Sequence, residues 1–165
     1  MATVRTNPIR LGLIALILTA VAQMTAPIAA AADGPTEYDL VYRTAHAQLG
    51  DQWKHRATGP DRFDCSGLVW YAFHENDLQS RIGGYRSVAG YLNWFKERGL
   101  VSREDPKVGD LVVWGKNQHI GIFIGDGMAI STLVTRRGVA IHPVKGYLNV
   151  RFKTYLHTTL TRPDA

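Results

Sequence analysis

The pattern of apolar residues changes near the middle of the chain, and this change limits the fold more than any other feature. In the first half, apolar residues recur at helical spacing, as they do from Tyr38 to Leu49. In the second half they form short β-rich runs that glycine-containing turns separate. Helices followed by an antiparallel β-meander predict an α+β domain.

Three helices are predicted in the first half, each with a recognisable N-terminal signal. Residues 36–39, Thr-Glu-Tyr-Asp, resemble a capping box, and the helix that they open ends before Gly50. A second helix begins at Asp64-Cys65 and continues through an apolar run. The third has Ser87 as its N-cap and ends at Gly99.

Five β-rich runs follow, and we predict a strand for each. Asp126-Gly127 lies between two of these runs and is a strong signal for a tight hairpin turn. The predicted strands span residues 111–114, 120–124, 128–133, 139–144 and 150–156.

The N-terminus has the composition of an export signal. Arg5 and Arg10 precede an apolar stretch at residues 11–21, and the small residues 29–32 form an Ala-x-Ala cleavage site before Asp33. The apolar stretch is shorter than the roughly 20 residues that span a membrane, although an uncleaved anchor stays open as the alternative. We therefore predict a signal peptide at residues 1–32 and one exported domain at residues 33–165, a length that suits a single core.

Cys65 is the only cysteine among the 165 residues, which excludes an internal disulfide and a thiol-rich metal cluster. Its predicted position at a helix N-terminus favours the thiolate, because the helix dipole and unpaired backbone N–H groups lower a thiol pKa there. Gly67 is expected to keep the first helical turn open to a substrate. These features favour a nucleophile over the alternative, a buried and inert cysteine.

A thiolate nucleophile needs a base, and His119 is the favoured candidate among six histidines. It begins a β-rich run, and Gly121 two residues later lies on the same face of the strand and leaves room beside it. Four other histidines lie in polar contexts and are expected at the surface. These are His46, His55, His74 and His157.

Three blocks of sequence together resemble the NlpC/P60 family of cell-wall cysteine peptidases. They are residues 63–69 with the motif Asp64-Cys65-Ser66-Gly67, residues 109–112, and residues 119–127. The resemblance extends from about Tyr38 to Leu156. It implies a papain-like α+β domain that hydrolyses the stem peptides of peptidoglycan, in the family usually at the bond between D-glutamate and the diamino acid, without a metal or cofactor.

The resemblance also implies roles for individual residues. Cys65 matches the nucleophile of the family and His119 its general base. Asp64 and Ser66 match positions that contact the free amino terminus of the stem peptide. Trp53 stands where the family usually has a tyrosine that assists the oxyanion, and its indole N–H would donate from a different geometry. Residues 55–57 also depart from the family pattern, so stem-peptide selection is expected to differ.

The group that orients His119 has two candidates. The position that usually carries a histidine, asparagine or glutamine in the family is Ser131 here, and a hydroxyl can accept the imidazole N–H. His142 on the next predicted strand is the second candidate, since its longer side chain could reach the same nitrogen. A backbone carbonyl or a water stays open as a third.

Other functions and partners have also to be weighed. A wall amidase or an acyltransferase could use the same Cys–His pair, and a wall-binding module without activity could keep the fold. The net charge of +5 would suit nucleic acid or anionic wall polymers, and the predicted export and the absence of a nucleic-acid motif favour the wall polymers; a solvated basic face is the alternative. We expect an exported monomer in the cell wall or periplasm whose main partner is the stem peptide.

Overall fold

The three predicted helices are present in the computed structural model, which describes residues 34–133, 138–146 and 149–162. The predicted signal peptide, residues 1–32, lies outside the described residues. The helices are α1 (Glu37–His46), α2 (Cys65–His74) and α3 (Val88–Lys96), with a short 3₁₀ helix (Gln79–Ile82) between the last two. The predicted caps Thr36 and Ser87 are confirmed, and Asp64 is the N-cap of α2, since each of these side chains accepts a backbone N–H from the first turn.

The five predicted strands are also present, together with three that the sequence did not indicate. The expected strands are β4 (Leu111–Trp114), β5 (His119–Gly125), β6 (Met128–Leu133), β7 (Gly138–Pro143) and β8 (Phe152–Leu156). The additional strands β1 (Gln52–Trp53), β2 (Arg62–Phe63) and β3 (Val101–Ser102) have two residues each, which is too short for a periodic pattern.

Six strands form one antiparallel sheet in the order β3-β8-β4-β5-β6-β7. Strands β4 to β7 are the expected meander, and the turn between β5 and β6 has Asp126 and Gly127 both at positive φ, as a tight hairpin requires. Strand β8 departs from a simple meander because it returns to pair with β4. The α+β class is confirmed.

The two faces of the sheet bury different sets of side chains. One face packs against the helices, and Cys65 lies at the edge of this main core beside residues such as Leu68 and Ile120. The opposite face carries a smaller cluster around Trp114, Phe123 and Tyr155. Alternation along β5 assigns Ile120 to the first face and His119 to the second.

Candidate active site

The first turn of α2 is organised by Asp64. Its Oδ1 accepts the backbone N–H of Gly67 at 2.7 Å and the hydroxyl of Ser66 at 2.8 Å. Cys65 is the first residue of the helix, where backbone N–H groups have no acceptor within the helix itself. The structure therefore brings Asp64, Cys65 and Ser66 together at one helix N-terminus.

Gly67 has a packing role that differs from the expected one. A Cβ at this position would come within 2.0 Å of the carbonyl oxygen of Ala57, so the preceding loop fills the space that we expected a substrate to use. The backbone N–H of Asp64 donates to the same carbonyl at 2.8 Å. The glycine thus lets the loop at residues 54–59 pack against the start of α2.

The thiol of Cys65 is half-buried and next to strand β5, where a backbone hydrogen bond joins it to Ile120. Burial raises the pKa of the Cys65 thiol and outweighs the backbone hydrogen bonds from Ile120 and Ser66, which lower it. The expected lowering of this pKa by the helix N-terminus is therefore wrong for the free protein, because loss of hydration is the larger effect.

His119, the neighbour of Ile120, begins strand β5 and is only 9% exposed. Its ring packs against Trp114, which is its direct partner across the β4–β5 pair, with 5.3 Å between ring centroids. Burial, together with the nearby ring of His142, lowers the pKa of His119 to about 4. The imidazole is therefore neutral at physiological pH.

Three side chains from successive strands form a hydrogen-bonded series that we call the imidazole–hydroxyl relay: His119, Ser131 and His142. Nε2 of His119 lies 2.8 Å from Oγ of Ser131, and the same oxygen lies 2.6 Å from Nε2 of His142. Nδ1 of His142 is 3.0 Å from the carbonyl oxygen of Pro143. Both candidates for the orienting group are thus present, with Ser131 in direct contact and His142 behind it.

Small residues make room for this relay in the sheet. A Cβ at Gly121 would lie 2.8 Å from Cβ of Ser131, so the space that we predicted beside His119 is filled by Ser131. On its other side Ser131 faces Ala140, while His142 pairs with Ala129. Both imidazoles therefore reach Ser131 diagonally across the sheet, over small neighbours.

Trp53 reaches this region through the short parallel pair β1–β2. It lies opposite Phe63, two residues before Cys65, and β1 also packs against β6 and β7. Its side chain is half-buried and its ring lies 6.3 Å from that of His55. The structure brings Trp53 to the neighbourhood of the helix N-terminus without a described contact to Cys65.

Trp114 at the site, and His157 at the other end of β4, have roles that the sequence did not suggest. Trp114 packs against the rings of both His119 and His142 and donates its indole N–H to the carbonyl of Val144 at 2.7 Å. The signal was available in principle, since a four-residue turn places Trp114 opposite His119. His157, expected at the surface, instead bonds the buried carboxylate of Asp110 at 2.8 Å.

Two further searches covered the part of the chain that the structure describes. No group of three or more His, Cys, Asp or Glu side chains there could hold a metal ion. Likewise, none of the helices within residues 34–133, 138–146 and 149–162 has the length and apolar character needed to cross a membrane.

Comparison with known proteins gives a consistent result. The NlpC/P60 family profile matches residues 50–157. The chain is 32% identical over 112 residues to a probable endopeptidase p60 of Listeria grayi, which covers 66% of this chain and 20% of that protein. It is 34% identical over 102 residues to the probable peptidoglycan endopeptidase LytE of Bacillus subtilis, covering 54% and 28%. The chain thus spans well under two thirds of these relatives.

Solved structures of low sequence identity share the fold. NlpC2 of Trichomonas vaginalis is 22% identical with a TM-score of 0.63, over 79% of this chain and 49% of that one. RipD of Mycobacterium tuberculosis, described as a non-catalytic NlpC/p60 domain protein adapted to peptidoglycan binding, is 23% identical with a TM-score of 0.54, over 77% and 97%. The fold is therefore also found in a protein that is described as non-catalytic.

Proposed function

The chain belongs to the NlpC/P60 family, and from this premise we propose that it is a peptidoglycan endopeptidase with Cys65 as nucleophile and His119 as general base. One observation carries the proposal. The Cys65 thiol at a helix N-terminus is bonded to the backbone of Ile120, the residue after a buried imidazole whose Nε2 is held by Ser131. The thiol is thus next to the strand that carries the proposed base, and acyl transfer requires a thiol, a base and an orienting group.

The reaction would begin with a neutral pair, because burial raises the pKa of Cys65 and lowers that of His119. As Sγ attacks the amide carbonyl, the thiol proton moves to Nδ1 of His119, and the imidazolium then gives it to the leaving amine. The thioester is hydrolysed by a water that His119 deprotonates, which frees the new carboxyl group and regenerates the thiol. Ser131 keeps the ring oriented by accepting the N–H of Nε2.

Charge on the carbonyl oxygen would be stabilised at the N-terminus of α2. The backbone N–H of Cys65 is in the first turn of this helix, and the helix dipole favours negative charge. Trp53 is proposed as a second donor through its indole N–H. Asp64 and Ser66 are proposed to bind the amino terminus of the stem peptide. The two described hydrogen bonds of the Asp64 carboxylate both use Oδ1, so Oδ2 could accept from an ammonium group.

The proposed substrate is the bond between D-glutamate and the diamino acid. The test is to incubate purified peptidoglycan with the chain and to identify the new termini by mass spectrometry. A free amine on the diamino acid with a new glutamyl carboxyl group supports the proposal. Release of the whole stem from the sugar would instead indicate an amidase. Cys65→Ala is the control, and activity retained in that variant would exclude Cys65 as nucleophile.

A non-catalytic role has a specific precedent in RipD, which shares the fold. The two functions differ in one measurement. A binding module would cosediment with insoluble peptidoglycan and release no soluble fragments, whereas the proposed enzyme releases fragments in a Cys65-dependent manner.

We also propose that the protein acts outside the cytoplasm as a monomer, with residues 1–32 removed as a signal peptide. N-terminal sequencing of protein recovered from the host envelope and medium tests it, and an N-terminus at Asp33 is expected. Intact protein held in membranes would favour an anchor.

A basic cleft on the sheet is a proposed contact for anionic wall polymers. It has a volume of about 530 Å³, and all of its ionisable lining residues are cationic: Arg103, Lys116, Arg151 and Lys153. Phe152 forms part of its wall, with the Arg103 guanidinium 5.2 Å from the ring centroid. The basic residues Arg136 and Arg137 lie outside the described residues.

The chemistry of this cleft suits a flexible phosphodiester polymer, which would be bound mainly by charge. Lys116→Glu should weaken cosedimentation of the chain with walls that retain their phosphodiester polymer, and added salt should have the same effect. The reversal Arg98→Glu, in the turn after α3, is the matched control, since Arg98 lies outside the cleft. Equal binding to walls stripped of the polymer would contradict the assignment.

A further inference from the structure

The relay has one end whose hydrogen-bonding role is fixed by its chemistry. The carbonyl oxygen of Pro143 can only accept, so Nδ1 of His142, 3.0 Å away, must carry a hydrogen. Burial lowers the pKa of His142, so its ring is neutral at physiological pH. A neutral imidazole with a hydrogen on Nδ1 has a lone pair on Nε2.

The acceptor role of His142 Nε2 determines the hydrogen-bonding roles of Ser131 and His119. Because Nε2 of His142 is an acceptor, the hydroxyl 2.6 Å away donates its hydrogen to that nitrogen. Oγ of Ser131 then has only lone pairs to offer to His119, so Nε2 of His119, at 2.8 Å, must be the protonated nitrogen. The lone pair of the His119 ring is therefore on Nδ1.

A serine alone would not produce this result. A hydroxyl both donates and accepts, so Ser131 could equally donate to Nε2 of His119 and place the ring hydrogen on Nδ1. In that tautomer Nδ1 could not accept a proton from a thiol. His142 removes the ambiguity because it takes up the only hydrogen that Ser131 can donate.

We propose that His142 is a positioning residue that acts through Ser131 to hold His119 in its Nε2–H tautomer, with Nδ1 as the base. The proposal rests on the proposed function, since it explains how a serine serves where an orienting group is needed. The hydrogens on Nε2 of His119, on the Ser131 hydroxyl and on Nδ1 of His142 stay in place during the reaction. The thiol proton moves to Nδ1 of His119 and then to the leaving amine, while Ser131 and His142 keep their hydrogens.

Burial supports the assignment, because water would compete for these hydrogen bonds. Ser131 is 0% exposed and His142 is 1% exposed. Trp114 packs against both imidazoles, at 5.3 Å from His119 and 5.6 Å from His142 between centroids. The buried side chains of the relay are therefore shielded from water that would compete for their hydrogen bonds.

The first measurement is the tautomer of His119 in the intact chain, from the ¹⁵N chemical shifts and ring couplings of its imidazole at neutral pH. We expect a hydrogen on Nε2 and a lone pair on Nδ1. The opposite tautomer in the unaltered protein would overturn the proposal without any variant. The imidazole signals that disappear in a His119→Gln variant are those of His119.

Two substitutions at His142 then separate polarity from packing. His142→Leu removes the acceptor, so we expect a mixture of His119 tautomers and a fall in kcat of about tenfold with KM nearly unchanged, as for loss of orientation alone. His142→Gln can again present an oxygen to Ser131 and should restore the Nε2–H signal and most of kcat. A His142→Leu variant that is folded and keeps both the tautomer and full turnover would refute the proposal.

A double variant tests whether the residues act together. Ser131→Ala combined with His142→Leu should lower kcat little more than either change alone, because one device is lost in each case. Multiplied losses would mean that His142 acts independently of Ser131 and would overturn the proposal. The tautomer is measured without substrate, so a chain that hydrolyses no peptidoglycan but shows the expected shifts would fail the proposed function and not this inference.

Discussion

Burial keeps the thiol of Cys65 and the imidazole of His119 in their neutral forms, because it raises the pKa of the first and lowers that of the second to about 4. We therefore expect iodoacetamide to alkylate Cys65 slowly at pH 6–7 and faster only above ~8.5, the ordinary thiol value. Mass spectrometry of the alkylated protein gives the rate, and the chain unfolded in urea is the control. Full reactivity at pH 6 would show a thiolate–imidazolium pair instead.

The same protonation states predict the pH dependence of catalysis. The protonation state with a neutral Cys65 thiol and a neutral His119 imidazole dominates from about pH 4 to above the ordinary thiol pKa. We therefore expect kcat/KM to have a wide plateau between these pH values. Apart from Cys65, the titratable side chain described beside His119 is His142, and its Coulombic effect also lowers the His119 pKa. His142→Leu should therefore move the acidic limb to higher pH. An acidic limb near 6.5 in the unaltered enzyme would contradict the burial argument.

Replacing His119 separates its role from that of other histidines. His119→Ala should lower turnover on the order of 10²-fold or more, as the loss of a general acid–base group does. His46→Ala is the matched control, since His46 is exposed at the end of α1. His157 is unsuitable as a control because it bonds the buried Asp110. Equal losses in the His119 and His46 variants, measured by fragment release, would remove the assigned role.

At the scale of the element, Gly121 lets β6 approach β5 closely enough for Ser131 to reach His119. In Gly121→Ala the new Cβ would meet Cβ of Ser131 at 2.8 Å and the carbonyl oxygen of Ile130 at 2.7 Å. We expect Ser131 to shift, kcat to fall about tenfold, and the free energy of unfolding to drop by about 1–3 kcal/mol from overpacking. Gly34→Ala, with no atom within 4 Å, is the control. Unchanged kcat in a folded Gly121→Ala variant would argue against the contact.

The elements that sequence could predict are those with local signals. Capping side chains indicated the start of α1 and α3, and apolar runs indicated α2 and the longer strands. The place of β8 beside β4 had no local signal, since pairing between distant strands depends on the whole sheet. The motif around Cys65 pointed to the helix N-terminus, but the sign of its pKa shift depends on burial. The hydrogen bonds from His119 to Ser131 and from Ser131 to His142 likewise could not be predicted, because they depend on diagonal contacts between three neighbouring strands.

At the scale of the molecule, Asp110 fastens the C-terminal segment to the sheet. Its carboxylate is 0% exposed and accepts hydrogen bonds from His157 at 2.8 Å, the Thr158 backbone at 2.9 Å and Arg162 at 2.7 Å. Asp110→Asn should lower the free energy of unfolding by about 3 kcal/mol or more, because the partly buried Arg162 guanidinium loses its counter-charge. Asp61→Asn, at an exposed position, is the control in urea unfolding. Equal stability of both variants would make the network energetically unimportant.

Acid should destabilise the whole domain through the relay. The pKa of His119 is about 4 when folded and ~6.5 when unfolded, so the unfolded chain binds more protons between these values and stability falls as the pH is lowered through them. The full shift corresponds to about 3 kcal/mol, and the lowered pKa of His142 adds in the same direction.

Urea unfolding at pH 7.5 and at pH 4.5 measures this loss. Carboxylates with lowered pKa, such as Asp39 held by Thr36, also lose stabilisation in acid, but they do so equally in a His119 variant. His119→Gln should therefore lose less stability between the two pH values than the unaltered chain, whereas His46→Ala should lose the same amount. If all three proteins lost equal free energy, His119 would titrate normally in the folded state, and the plateau of kcat/KM would not extend down to about pH 4.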